Sequence, residues 1–140
     1  MKRGWVIVGV LLGFGLAQYR SNAAAPLPEK PCPQPARYWL ELDPARWPVE
    51  TLRLGGQRYG TEPLRRLLAA PAGQPQAYLR QQLAAAKLSL ASGAEPSPIA
   101  ATVAEADRML QRLARPEELL ALGDALEAYT RFRRYTPGCR

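Results

Sequence analysis

Gln76-Ala77-Tyr78-Leu79-Arg80-Gln81-Gln82-Leu83-Ala84-Ala85-Ala86-Lys87-Leu88-Ser89-Leu90-Ala91-Ser92-Gly93 decides the fold class of this chain. Leu79, Leu83, Ala86 and Leu90 recur four, three and four residues apart, which is one face of an α-helix. The pattern predicts a helix over 76–92 that stops at Gly93, a residue suited to a helix C-terminus. Downstream, Ser97 as cap and Pro98 at the first helical position open a second periodic run. Its stripe is Ile99, Val103, Ala106, Leu110 and Leu113. A third begins near Pro116, where Glu117 and Glu118 suit the positive end of a helix. Leu119, Leu122, Leu126 and Tyr129 form its apolar face, with Gly123 as a point of interruption.

Upstream, Thr61 is expected to cap a short helix with Glu62 and Pro63 in its first turn and Leu64, Leu67 and Leu68 on one face. The run Pro71 to Pro75 breaks it. Between Thr51 and Tyr59, apolar and polar residues alternate on both sides of Gly55-Gly56, a hairpin signal. Those glycines do not read as a phosphate cradle, because the lysine and the Ser/Thr of a P-loop are missing. The expected fold is mainly α, a compact bundle of three to four helices with one small β-hairpin.

The first residues speak to compartment. Lys2 and Arg3 precede an uncharged apolar run from Trp5 to Ala17. Such a run fits a signal-peptide core and falls short of the roughly 20 residues that span a bilayer. Residues 1–17 are therefore expected to be a signal peptide, with cleavage after Ala17 or as late as Ala23. An uncleaved N-terminal anchor is the alternative. Residues 18–36, with Pro26, Pro28, Pro31, Pro33 and Pro35, read as a semi-rigid linker. The helical domain is expected over 37–140.

Cys32 and Cys139 are the two cysteines of a chain without histidine. In an exported protein an even cysteine count reads as a disulfide, here one joining the two ends of the domain. Closing a loop of roughly 100 residues stabilises by about 4–5 kcal/mol in the chain-entropy model. Free or intermolecular thiols are the competing reading. The absence of histidine removes Ser-His-Asp and Cys-His catalysis and most zinc sites. Glu105 and Asp107 point apart on a helix, and Glu41 and Asp43 fall in a solvated stretch. No group of acids is dense enough for calcium. The residues thus argue against an enzyme and imply no cofactor.

Three features remain. Tyr38, Trp39, Pro44, Trp47 and Pro48 form an aromatic segment, read either as core or as a groove for sugars or peptides. Lys87 and Asp107 flank the stripes of two helices at similar offsets and could pair across them, or Lys87 could lay its stem over the core with its charge in water. Lys30, Arg37, Arg131, Arg133, Arg134 and Arg140 would be gathered at one end by the disulfide. Net charge is +7, with Lys+Arg 19 against Asp+Glu 12. Cations also suit a helix C-terminus without any ligand. The binding alternative is an anion-facing patch whose contacts are sequence-indifferent and salt-dependent. Action through a basic amphipathic helix is a weaker option, because the polar faces mix both signs of charge.

Several of these stretches together resemble a group of small exported bacterial domains of uncharacterised function. Those sequences run from a cysteine to Gly-Tyr-Trp-Lys-Asn-His-Pro, Trp-Pro-Val and Leu-Thr-Leu-Gly. They continue through Gln-Leu-Ile-Ala-Ala-Lys-Leu-Asn and Ala-Asn-Gly-Ala to Gly-Pro-Gly-x-Cys. The matching residues here are Cys32, Tyr38-Trp39, Pro44, Trp47-Pro48-Val49 and Leu52-Arg53-Leu54-Gly55, then Gln82 to Leu88, Ala91 to Ala94, Ala106-Asp107 and Pro137-Gly138-Cys139. The match covers about residues 32–139. Leu40-Glu41-Leu42-Asp43 replaces the Lys-Asn-His stretch and is one residue longer. The resemblance implies export, a disulfide and the helical fold, and no reaction. The functional expectation is a non-catalytic cell-envelope or extracellular module acting by binding or structure. An envelope polyanion or another envelope protein is the expected class of partner, without sequence-specific nucleic-acid binding. The alternatives are a ligand-binding enzyme or inhibitor using Tyr38 to Trp47, and a polyanion-binding patch.

Overall fold

The computed structural model describes residues 30–140, so the expected signal peptide and the linker up to residue 29 lie outside the described residues. In chain order the elements are α1 (Ala36–Glu41), a 3-10 turn (Pro44–Arg46), β1 (Leu52–Leu54), β2 (Gln57–Tyr59), α2 (Thr61–Ala69), α3 (Pro75–Ala91), α4 (Ala100–Met109) and α5 (Pro116–Thr130). The fold is mainly helical, with one two-stranded antiparallel sheet and a Cys32–Cys139 disulfide, as expected.

α3 is the central element. Leu79, Leu83, Ala84, Ala85, Ala86, Leu88 and Ser89 are all fully buried, so it is covered on more than the single face its leucine stripe implies. The alanines are the reason: with little side-chain volume they let neighbours approach on several sides. The helix ends as its sequence foretells. Gly93 sits at φ +108°, its N–H bonds to Leu90 O, and Ala94 N–H bonds back to Ser89 O, a Schellman closure.

α5 lies along α3. Tyr78 near the start of α3 meets Asp124, and Gln82 one turn on shares a cavity wall with Glu127, so the two helices run in the same direction. Gly123 does not interrupt α5. A Cβ there would stand 2.4 Å from Cε2 of Tyr78, so the glycine makes room for that ring while the helix continues through it.

Three helix boundaries differ from the expectation. Gly60, not Thr61, precedes α2; Thr61 is its first residue and its hydroxyl donates to Glu50 O. Ser97 and Pro98 form a turn in which Pro96 O accepts from both Ile99 and Ala100 N–H, and α4 starts only after the buried Ile99. At its far end α4 stops at Met109, and three-residue turns at Gln111 and Arg112 rotate the chain out of helical register. Met109 therefore takes the buried position, and Leu113, expected in the stripe, is fully exposed.

The expected hairpin forms, with Leu52 opposite Tyr59 and Leu54 opposite Gln57. Gly55 and Gly56 both have positive φ, +58° and +82°, the backbone that a tight two-residue turn requires. Residues 32–36, read as the end of the linker, pack against the domain. Cys32 and Pro33 are buried, Gln34 N–H donates to Ser89 Oγ at 2.9 Å, and α1 begins at Ala36. These anchors make the last prolines part of the domain.

Candidate functional site

The aromatic segment folds as α1 and the 3-10 turn, and it faces inward. Trp39 is 3% exposed and donates its indole N–H to Gln34 O at 3.1 Å. Trp47 is 7% exposed and donates to Trp39 O at 3.0 Å. A buried indole needs such a partner for its polar atom. With both indoles in the core, neither offers a face to a sugar or peptide; Tyr38, packed edge-on against Trp39, remains partly outside.

Lys87 and Asp107 do meet. Lys87 Nζ lies 2.7 Å from Asp107 Oδ2, and the same ammonium donates to Arg53 O. The other oxygen, Asp107 Oδ1, accepts from Gly55 N–H at 2.9 Å. The pair thus joins α3, α4 and the tip of the hairpin. Both side chains are mostly covered, yet every partner is a group of the scaffold, so the arrangement is a structural clasp. Glu105, two residues before Asp107, turns away to pair with Arg108.

The disulfide end gathers the basic residues. The Cα atoms of Cys32 and Cys139 are 4.7 Å apart. Two main-chain bonds flank the bridge, Cys32 N–H to Arg140 O at 3.1 Å and Arg140 N–H to Lys30 O at 3.0 Å. Lys30 and Arg140 are therefore neighbours, and both tails are fixed to each other. Among the described residues Lys30 has a carboxylate partner in Glu95, Arg37 in Glu41, and Arg131 in Glu127 at 3.9 Å. Arg133 and Arg134 are exposed and have no carboxylate partner among the described residues. They do not close the last helix, which ends at Thr130 with Arg131 as its cap; they lie in the turn beyond it. A cavity of about 340 Å³ opens beside the bridge, with Pro31, Tyr38, Arg46, Pro48 and Arg140 on its wall.

One residue at this end, Glu95, carried no sequence signal. Glu95 pairs with Lys30 and also accepts from Ser97 N–H at 3.2 Å. The hydrogen bond from Lys30, aided by that N–H, holds the Glu95 carboxyl down at about 2. Its own carbonyl accepts from the Tyr129 hydroxyl at 2.7 Å. Burial, with the Glu95 charge second, pushes the Tyr129 phenol up to about 12. Tyr78 is raised further by burial and by its 2.7 Å bond to Asp124. Burial or a partner within the fold accounts for each of these shifts. Among the described residues no three of His, Cys, Asp and Glu converge as a metal site would require.

No protein-family model, curated protein or solved structure matches this chain.

Proposed function

We propose that this chain is an exported, non-catalytic module of the cell envelope or extracellular space that acts by binding or by structure. The observation that carries the reading is the Cys32–Cys139 bridge with its flanking main-chain bonds. A disulfide that clamps both ends of a small domain belongs to an oxidising compartment. The ion pairs among the described residues agree: they are contacts within the fold, among them the Lys87–Asp107 clasp, the Lys30–Glu95 bridge and the Arg115–Glu118 helix start. The apolar run Trp5 to Ala17 supplies the route of export.

The experiment is expression of the full chain in a secreting bacterium, followed by fractionation and intact-mass analysis before and after reduction. The expected result is a processed protein outside the cytoplasm, two hydrogens lighter than its dithiol. A cytoplasmic protein with two alkylated thiols would overturn the reading. So would turnover of a generic hydrolase substrate that a single acidic substitution abolishes.

A further inference from the structure

We propose that Arg131 to Tyr135 is a membrane-contact segment that docks the domain on an anionic lipid surface, with Phe132 and Tyr135 entering the headgroup layer and Arg133 and Arg134 meeting phosphates. This rests on the reading of the chain as a binding module and names its partner.

The domain buries Trp39, Trp47 and Tyr129 but leaves Phe132 62% and Tyr135 53% exposed. These two aromatics bracket Arg133-Arg134 and follow Arg131, whose guanidinium lies 5.6 Å from the Phe132 ring centre. The segment is held outward by its backbone. Arg134 N–H bonds back to Ala128 O in α5, and Thr136 N–H bonds to Arg133 O. Arg133 has φ +50°, a conformation that non-glycine residues rarely adopt. The following Thr136 is buried, and Cys139 is bridged to Cys32. A segment tied at both ends cannot fold its rings back into the core, so the exposure is built in.

The favoured partner is a lipid surface, because the two rings flank the arginines on an outward turn. Sugars and bases also stack on aromatic rings, so a soluble polyanion is an outcome the test separates. At a membrane interface, aromatic side chains sit at headgroup depth while the guanidinium groups reach the phosphates. Glu127 and Glu41 offset Arg131 and Arg37, and Glu95 offsets Lys30, so within residues 131–135 the charge with no carboxylate beside it among the described residues is that of Arg133 and Arg134.

The test is sedimentation of the full chain, with the N-terminus its host leaves on it, against vesicles of phosphatidylglycerol and phosphatidylcholine and against pure phosphatidylcholine. Wild type should partition to the anionic vesicles and be released as salt rises. R133Q/R134Q should lose about twenty-fivefold there, near fivefold per arginine, and nothing on neutral vesicles. F132S/Y135S should lose about tenfold on the anionic vesicles. R58Q/R65Q removes the same charge from other exposed positions and should lose far less. All positions changed are on the surface, and circular dichroism of each variant checks the fold. Equal partition of all four proteins overturns the proposal. So does wild-type binding to soluble heparin that matches vesicle binding and ignores F132S/Y135S, the signature of a polyanion site. Failure here would leave export, the disulfide and the lack of turnover untouched, so the two readings fail separately.

Discussion

Changing Gly123 to Ala should destabilise this protein, although alanine is the better helix former. In an unconstrained helix interior the substitution stabilises by about 1 kcal/mol. Here the added Cβ would meet Cε2 and Cδ2 of Tyr78 at 2.4 and 2.7 Å, where ordinary contact begins near 3.4 Å. The ring must retreat by about 1 Å, and its hydroxyl is tied to Asp124 Oδ1 at 2.7 Å. Overpacking of this kind costs about 1–3 kcal/mol. The net expectation is a loss of up to about 2 kcal/mol. A cycle with Tyr78→Ala isolates the cause: without the ring, Gly123→Ala should stabilise by about 1 kcal/mol, giving a coupling of about 1–3 kcal/mol. Urea unfolding followed by circular dichroism, with the slope unchanged between variants, provides the numbers. Gly123→Ala stabilising by the same amount with and without Tyr78 would refute the argument that the glycine exists for that ring.

Three further outcomes follow from the same contacts. Replacing both Cys32 and Cys139 by Ala should cost about 4–5 kcal/mol, since the bridge closes a separation of 107 residues; unchanged urea midpoints would contradict this. Asp107→Ala removes both the Lys87 contact and the acceptor of Gly55 N–H, and should cost about 1–2 kcal/mol, more than Lys87→Met; a cycle showing the two to be fully additive would dissolve the clasp. Glu95, held at about 2 when folded against its ordinary value of 4.5, binds a proton more readily in the unfolded chain. Its contribution is therefore complete above about pH 4.5 and is lost as pH falls through about 2. Glu95→Gln should flatten that part of the acid stability profile, and an unaltered profile would show that the Lys30 bond has no such effect.

α2, α3, α4 and α5, the hairpin and the bridge were legible in the sequence because each rests on a local or pairwise signal, whereas the short α1 was not. The stripe Leu79, Leu83, Ala86, Leu90 needs only the helical period, and Gly55-Gly56 needs only a tight turn's positive φ. Cys32 and Cys139 needed only a compartment and an even count. The start of α4 was not legible, because Ser97-Pro98 and the Pro96 turn compete for the same N–H groups and the burial of Ile99 favours the turn. Gly123 looks like a helix breaker in isolation, and only the Tyr78 ring from another helix makes it a contact. The basic end shows the same division. Its arginines can be counted in the sequence, but their net charge depends on Glu41, Glu95 and Glu127, which packing places beside Arg37, Lys30 and Arg131. The exposure of Phe132 and Tyr135 likewise carries no sequence signal. Aromatic residues are expected inside by hydrophobicity, and these two stay out because backbone bonds to Ala128 and Arg133 and the bridge at Cys139 hold the chain between α5 and the N-terminal tail.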